Sequence, residues 1–306
     1  MAPAASSFHQ TSNTVCVMDA SGHLGSTLVQ RLLQRGYNVH AAVQNHDDLK
    51  LNKLCGDDNK NLKIFKADPF DYHSMVEAFR GCCGLFYTFE PPQDQATYDE
   101  FNVEEEVRAA HNVLEACAQT ETIGKIVFTS SATGIFWRDD HNSTTSDFDE
   151  RHWSDVNFCR KYKLWHAQAK TLAEKTAWAL AMDRGLNMVT INGGLLMSPD
   201  LSIKNPYLKG AAQMYEDGVF VTVHINFLVD SHICVFEDAS SYGRYLCFNN
   251  VINQPEDAFK LASILTPSTP SLPPSCYKQD SRIIRPRLSC KKLNRLMAEH
   301  ESRSQR

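Results

Sequence analysis

"TVCVMDASGHLGSTLVQRLLQRG", residues 14–36, decides the fold. Its first five residues, Thr14 to Met18, form a β-rich apolar run, as in a strand covered on both faces. The leucines and valine of "LGSTLVQRLLQRG" then recur at helical spacing until Gly36 stops them. Between strand and helix lies "DASGHLG", a turn whose small residues let backbone N–H groups and a helix N-terminus approach a pyrophosphate. Gly22 and Gly25 take the second and third glycine positions of such a turn, and Asp19 takes the first. A carboxylate there repels phosphate unless it turns away and caps the turn. On this reading Ser21, Gly22, His23, Leu24 and Gly25 cradle a dinucleotide; an ordinary strand-to-helix turn is the alternative.

Working outward, β-rich runs alternate with longer helical patterns. "YNVHAAV", "LKIFKAD", "GLFYTF", "KIVFTSS" and "LNMVTING" read as further strands. "SMVEAFRG", a stretch from about Glu104 to Gln119, and "LWHAQAKTLAEKTAWALA" read as helices between them. The order implies an α/β, Rossmann-type doubly wound parallel sheet with right-handed crossovers. Residues 14–194 form the nucleotide-binding domain on this reading, preceded by a flexible arm over 1–13. Residues 195–295 form a smaller substrate lobe closing over the carboxyl edge of the sheet, together with C-terminal elements, and 296–306 a disordered tail. "TPSTPSLPPS" reads as a proline-rich connector within that lobe.

The 306 residues are enough to bury a large core without covalent staples. The 10 cysteines show no CxxC pair and no signal peptide precedes them, so they read as reduced thiols of a cytoplasmic protein, with Cys82 and Cys83 as packing. A net charge of -5 with mixed signs offers no basic face for nucleic acid. The longest apolar runs fall short of the roughly 20 residues that cross a bilayer. An Asn-x-Ser match at Asn142 lacks a secretory context.

Gln44 ends the second strand, where a side chain meets the adenosine ribose, and Asn45 and His46 follow it. Neutral amides hydrogen-bond to the ribose of NADP or of NAD, so charge leaves both open. Asp68, after the third strand, suits the adenine amino group, or else an ordinary surface turn.

Several stretches in register resemble one family. "VCVMDASGHLGSTLVQRLLQRGYNVHAAV", "ADPFDYHSMVEAFRGCCGLFYT", "NVLEACAQTETIGKIVFTSSAT", "AKTLAEKTAWALA" and "GRYLCFNN" are similar to the plant cinnamoyl-CoA reductase and dihydroflavonol reductase branch of extended short-chain dehydrogenases. "VCVMDAS", "KLWHAQAK" and "YLKGAAQMYEDGV" resemble a defence-linked subgroup of that branch. The resemblance implies an NADP(H)-dependent reductase of phenylpropanoid metabolism that acts on a small molecule such as a hydroxycinnamoyl-CoA. The alternative it leaves is an inactive NADP(H)-binding protein that signals in plant defence through a protein partner. It adds Pro69 and Thr88 to the cofactor contacts.

The family works with serine, tyrosine and lysine. Its serine corresponds to Ser131 and its lysine to Lys170, but its tyrosine position holds His166. The family's Asn-Pro-Gly after the sixth strand appears as Asn192, Gly193 and Gly194. In that chemistry tyrosine protonates the carbonyl oxygen, serine holds it, and lysine bonds the nicotinamide ribose while lowering the tyrosine pKa. Residues 166 and 170 share one helical face. The lysine charge that makes a phenol a better acid favours neutral imidazole, a poor one. Losing a general acid costs about 10²–10⁴-fold. No tyrosine precedes a lysine by four places. Tyr162 lies on the same helical face as His166, two turns and about 12 Å along the axis from Lys170, which makes it a poor replacement.

The loop "RDDHNSTTSDFDERHWSD" offers His141, His152 and aspartates as metal ligands, but its irregular spacing suits a solvated loop bordering the cleft, so no metal is expected. Trp153 and Phe158 either line an aromatic pocket or anchor that loop. Ser130 and Ser131 lack the nucleophile elbow of a hydrolase.

Overall fold

The computed structural model describes residues 13–44, 60–89, 98–139, 147–266 and 283–304. In chain order the elements are β1 (Thr14–Met18), α1 (His23–Gln34), β2 (Asn38–Val43), β3 (Leu62–Lys66), α2 (Tyr72–Phe79), β4 (Gly84–Tyr87) and α3 (Glu100–Ala118). Then come β5 (Lys125–Ser131), α4 (Thr133–Phe136), α5 (Val156–Lys161), α6 (Trp165–Arg184), β6 (Met188–Gly193) and β7 (Leu195–Met197). The last are α7 (Ala211–Glu216), β8 (Val221–His224), α8 (Ile225–Glu237), β9 (Gly243–Cys247), β10 (Asn250–Val251), α9 (Pro255–Leu265) and α10 (Lys291–Ser304).

Seven parallel strands form the main sheet in the order β3-β2-β1-β4-β5-β6-β9. Strand order reverses between β1 and β4, which opens a crevice outside their carboxyl ends, the place where such sheets bind ligands. The period of two along each strand supplies both faces. Val15 and Val17 of β1 pack with Leu28, Leu32, Val229 and Ile233 of α1 and α8. Cys16 and Met18 pack on the other side with Met75, Phe79, Val113 and Leu114 of α2 and α3.

On that second face α3 and α6 lie against each other. Ala173, Ala177 and Ala181 recur every four residues along α6 and bury against the group containing Ala110, Val113, Leu114 and Cys117. Alanines let two helix axes approach closely. This contact sets the geometry of the site.

The chain does not leave the main sheet at Gly194. β9 pairs with β6, α8 packs on the α1 side, and Leu293 and Leu296 of α10 bury in the same core. Through Ser304 the expected tail is therefore helical: two leucines at i, i+3 hold one face down, and Arg303 reaches Asp238 at 2.9 Å. The smaller lobe comprises the β10-β8-β7 sheet, α7 and α9, with Trp137, Phe148, Leu164, Tyr207, Met214 and Phe220 in its core. Most of the N-terminal arm, the proline-rich connector, Asn45, His46, His141 and Asn142 lie outside the described residues. Among the described residues no helix is long and apolar enough to cross a membrane, and the cysteines are free. Cys82 is buried, which pushes its thiol up to about 12.

Candidate functional site

The glycine turn is built as its sequence requires. Asp19 adopts a φ of 59°, the left-handed conformation that glycine favours and aspartate tolerates better than most residues. The Ala20 N–H donates to the Ala42 carbonyl at 2.9 Å, tying the turn to β2. A Cβ on Gly25 would collide with the Asp19 carbonyl oxygen and stand 2.8 Å from Ala20 Cα, so close approach of α1 to the turn demands glycine. Gly22 is the N-cap of α1, which has neither a side-chain cap nor an acidic first turn. Its first amides and the positive end of its dipole therefore suit an anion. Ser21 and His23 are half-buried beside it, and Leu24 is buried.

Around the crevice, the Thr88 hydroxyl donates to the Met18 carbonyl at 3.0 Å and clasps the ends of β1 and β4. Gln44 is exposed at the end of β2. Asp68 is exposed after β3, where one carboxylate oxygen accepts the Phe70 N–H at 2.9 Å and makes a local turn. Pro69 is buried, its carbonyl accepting Asn112 Nδ2 at 3.0 Å. The turn, Thr88 and Gln44 fit a dinucleotide laid across the switch point.

At the end of β5, Ser131, Thr133 and His166 form a hydrogen-bonded file. Thr133 Oγ1 donates to Ser131 Oγ at 3.0 Å and lies 3.2 Å from His166 Nδ1. With the threonine proton directed at Ser131, the histidine Nδ1–H donates to Thr133 and Nε2 keeps the lone pair. Burial, followed by the charge of Lys170, pushes His166 down to about 3, so the imidazole is neutral. The rings of Tyr98 and Tyr207 flank it, each with its centroid 5.9 Å away.

Neither tyrosine is an activated acid. Burial and then the Glu106 carboxylate push Tyr98 far above its ordinary value, and burial raises Tyr207. Tyr98 donates to Glu106 at 2.9 Å, and Tyr207 to the Val221 carbonyl at 3.2 Å. Tyr162 is further removed than the sequence suggests. Lys163 takes a φ of 54° and α6 begins only at Trp165, so Tyr162 lies in a separate turn with its ring on Phe158.

Lys170 carries the least expected contact. Its ammonium lies 2.7 Å from Glu106 Oε1 and donates to the Phe89 carbonyl at 3.2 Å. Glu106 is 2% exposed and Lys170 8%. The signal for Glu106 was available: it falls in the buried phase of α3 with Val103, Ala110 and Val113. Thr133, Tyr98 and Tyr207 carry no comparable signal, since the one-turn helix α4, the segment before α3 and the second lobe deliver them.

Trp153 anchors its loop. Arg244 stacks over its ring at 3.5 Å and binds the fully buried Glu174 at 2.7 Å, while donating to the carbonyls of Glu150 and His152. Ser130 and Asn192 also donate to Glu174, at 3.0 and 2.8 Å. This node holds the loop of residues 147–155 against β6 and β9. Among the described residues no cluster suits a metal ion; His152 instead pairs with Asp149 at 3.0 Å.

A glycine turn heading a doubly wound sheet, with residues 131, 166 and 170 gathered at its carboxyl edge, defines an NAD(P)H-binding protein of the extended short-chain dehydrogenase class. A family model described as NAD(P)H-binding matches residues 20–195. Cinnamoyl-CoA reductase 1 of Petunia hybrida is 35% identical over 285 residues, spanning 90% of this chain and 82% of the relative. Tetraketide alpha-pyrone reductase 1 of Arabidopsis thaliana is 34% identical, over 90% and 87%. The crystal structure of vestitone reductase from alfalfa (Medicago sativa) superposes with a TM-score of 0.70 at 27% identity, covering 92% and 91%. The chain belongs to the cinnamoyl-CoA reductase and dihydroflavonol reductase family of NAD(P)H-dependent reductases.

Proposed function

We propose that the chain is an NADP(H)-dependent oxidoreductase of the cinnamoyl-CoA reductase type, acting on a carbonyl compound such as a hydroxycinnamoyl-CoA thioester, with catalysis weakened by the histidine at 166. The observation that carries this reading is the file Ser131, Thr133 and His166, with Lys170 on the next turn of α6. When bound, the dinucleotide supplies hydride; the first turn of α1 holds its pyrophosphate, Thr88 lies at the switch point, and Gln44 meets its ribose. NADP rests on the family likeness, because a neutral amide serves NAD as well.

The Ser131 hydroxyl bonds the substrate oxygen and passes it a proton. Thr133 replaces that proton, the His166 Nδ1–H replaces the one lost by Thr133, and a proton taken from solvent at Nε2 leaves the imidazole neutral. Each donor in this file is neutral and weakly acidic. A phenol acidified by a neighbouring ammonium would outperform it by about 10²–10⁴-fold.

The competing reading is an NADP(H)-binding protein without turnover, acting in plant defence through a protein partner. The pairing of Lys170 with Glu106 favours it, since the ammonium is neutralised within the fold. Placement in the cytoplasm belongs to both readings and rests on the free cysteines. NADPH consumption with feruloyl-CoA separates them. The first reading expects a slow rate that Lys170→Ala lowers by about tenfold or more. A rise in melting temperature with NADPH, without any turnover, establishes the second.

A further inference from the structure

The Glu106–Lys170 pair is absent from any mechanism in which lysine serves only the ribose and the general acid. It is built with care: one carboxylate oxygen accepts the ammonium at 2.7 Å and the other accepts the Tyr98 hydroxyl at 2.9 Å. Lys170 is the cation facing Glu106 among the described residues. The helix contact through Ala173, Ala177 and Ala181 brings α3 and α6 close enough for two charged side chains to meet inside the protein.

We infer that Glu106 competes with the nicotinamide ribose for Lys170, and so sets both the affinity for NADP(H) and the charge that Lys170 presents to residue 166. The inference rests on the NADP(H)-binding reading above. An ammonium has three donor protons, and Glu106 and the Phe89 carbonyl take two, which leaves one for a ribose that presents two hydroxyls. A carboxylate accepts more strongly than a ribose hydroxyl. Drawing the lysine toward the ribose therefore leaves a buried anion without its cation, which is strongly disfavoured. Glu106 is a positioning residue in this scheme: it acts through Lys170.

Calorimetric titration of the full chain with NADPH tests this, using wild type, Glu106→Gln, Lys170→Met and the double variant, with circular dichroism melts to confirm folding. Glu106→Gln keeps the shape but removes the charge: its amide oxygen still accepts from Lys170, while its NH2 donates to the Tyr98 hydroxyl oxygen instead of accepting from it. It should tighten NADPH binding by about tenfold, and the gain should vanish in the Lys170→Met background. Equal tightening with and without Lys170 would overturn the inference, because the carboxylate would then be repelling phosphates directly. Unchanged or weaker binding by Glu106→Gln, with wild type binding normally, would sink the inference alone. Binding by no variant would sink the NADP(H) reading and the competition with it. Should Glu106→Gln fail to fold, Glu106→Asp, whose carboxylate is drawn back by one methylene, should shift affinity in the same direction by a smaller factor; no shift in it overturns the inference.

Discussion

Asp19 and Gly25 are fitted to each other: the aspartate turns through a φ of 59°, and its carbonyl oxygen occupies the space that a Cβ on Gly25 would need. The close approach of α1 to the turn depends on both. Gly25→Ala should lower stability by about 1–3 kcal/mol, the usual cost of overpacking, and weaken NADPH binding, as read by urea unfolding and by titration. Wild-type stability in that variant would mean that the helix shifts without cost.

His166→Tyr restores a phenol beside Lys170. Since Glu106 still neutralises the ammonium, NADPH oxidation should rise by no more than about tenfold, and combination with Glu106→Gln should raise it by about 10². Steady-state rates with feruloyl-CoA decide this. A full recovery by the single variant would show that Glu106 does not restrain the lysine.

Acid should weaken the fold through buried imidazoles, of which burial holds His166 and His232 down furthest and His40 less. His166 is held down to about 3 and the fully buried His232 to about 4, against 6.5 for the free side chain. Between those values and 6.5 the unfolded chain binds more protons than the folded one, so stability is complete above that window and falls as pH drops through it. The slope is about 1.4 kcal/mol per pH unit for each group. Melting temperatures between about pH 7 and pH 5 should fall, and His166→Gln should flatten the trend. An equally steep loss in that variant would assign the effect to other groups.

Arg244→Met should be the most damaging of these changes. It strands the Glu174 carboxylate in the interior, a loss of about 3–5 kcal/mol, and releases the carbonyls of Glu150 and His152 together with the Trp153 ring. Urea denaturation measures the first effect. Faster proteolysis within residues 147–155 reports the second.

Tyr162 and Glu106 show where reading along the chain succeeds and fails. Periodicity placed Tyr162 on the helix of Lys170, but the left-handed backbone at Lys163 breaks the run, and a change at a single residue leaves almost no periodic trace. Glu106 kept its helical phase, so its burial was legible among Val103, Ala110 and Val113. Its partner was not. The helix through Ser304 departs from the disordered tail expected over 296–306, because two leucines are too few to mark a helix until a core exists to receive them.

The order of strands and helices, the glycine turn and the histidine four places before Lys170 follow from sequence alone, because each depends on neighbours within a few residues and on the fixed periods of strand and helix. The pairing of Lys170 with Glu106, the file through Thr133 and the return of β9 and α10 to the main sheet arise only on folding. They join segments far apart in the chain, and which buried charge meets which depends on how closely two alanine-lined helices pack, a distance that no local pattern encodes.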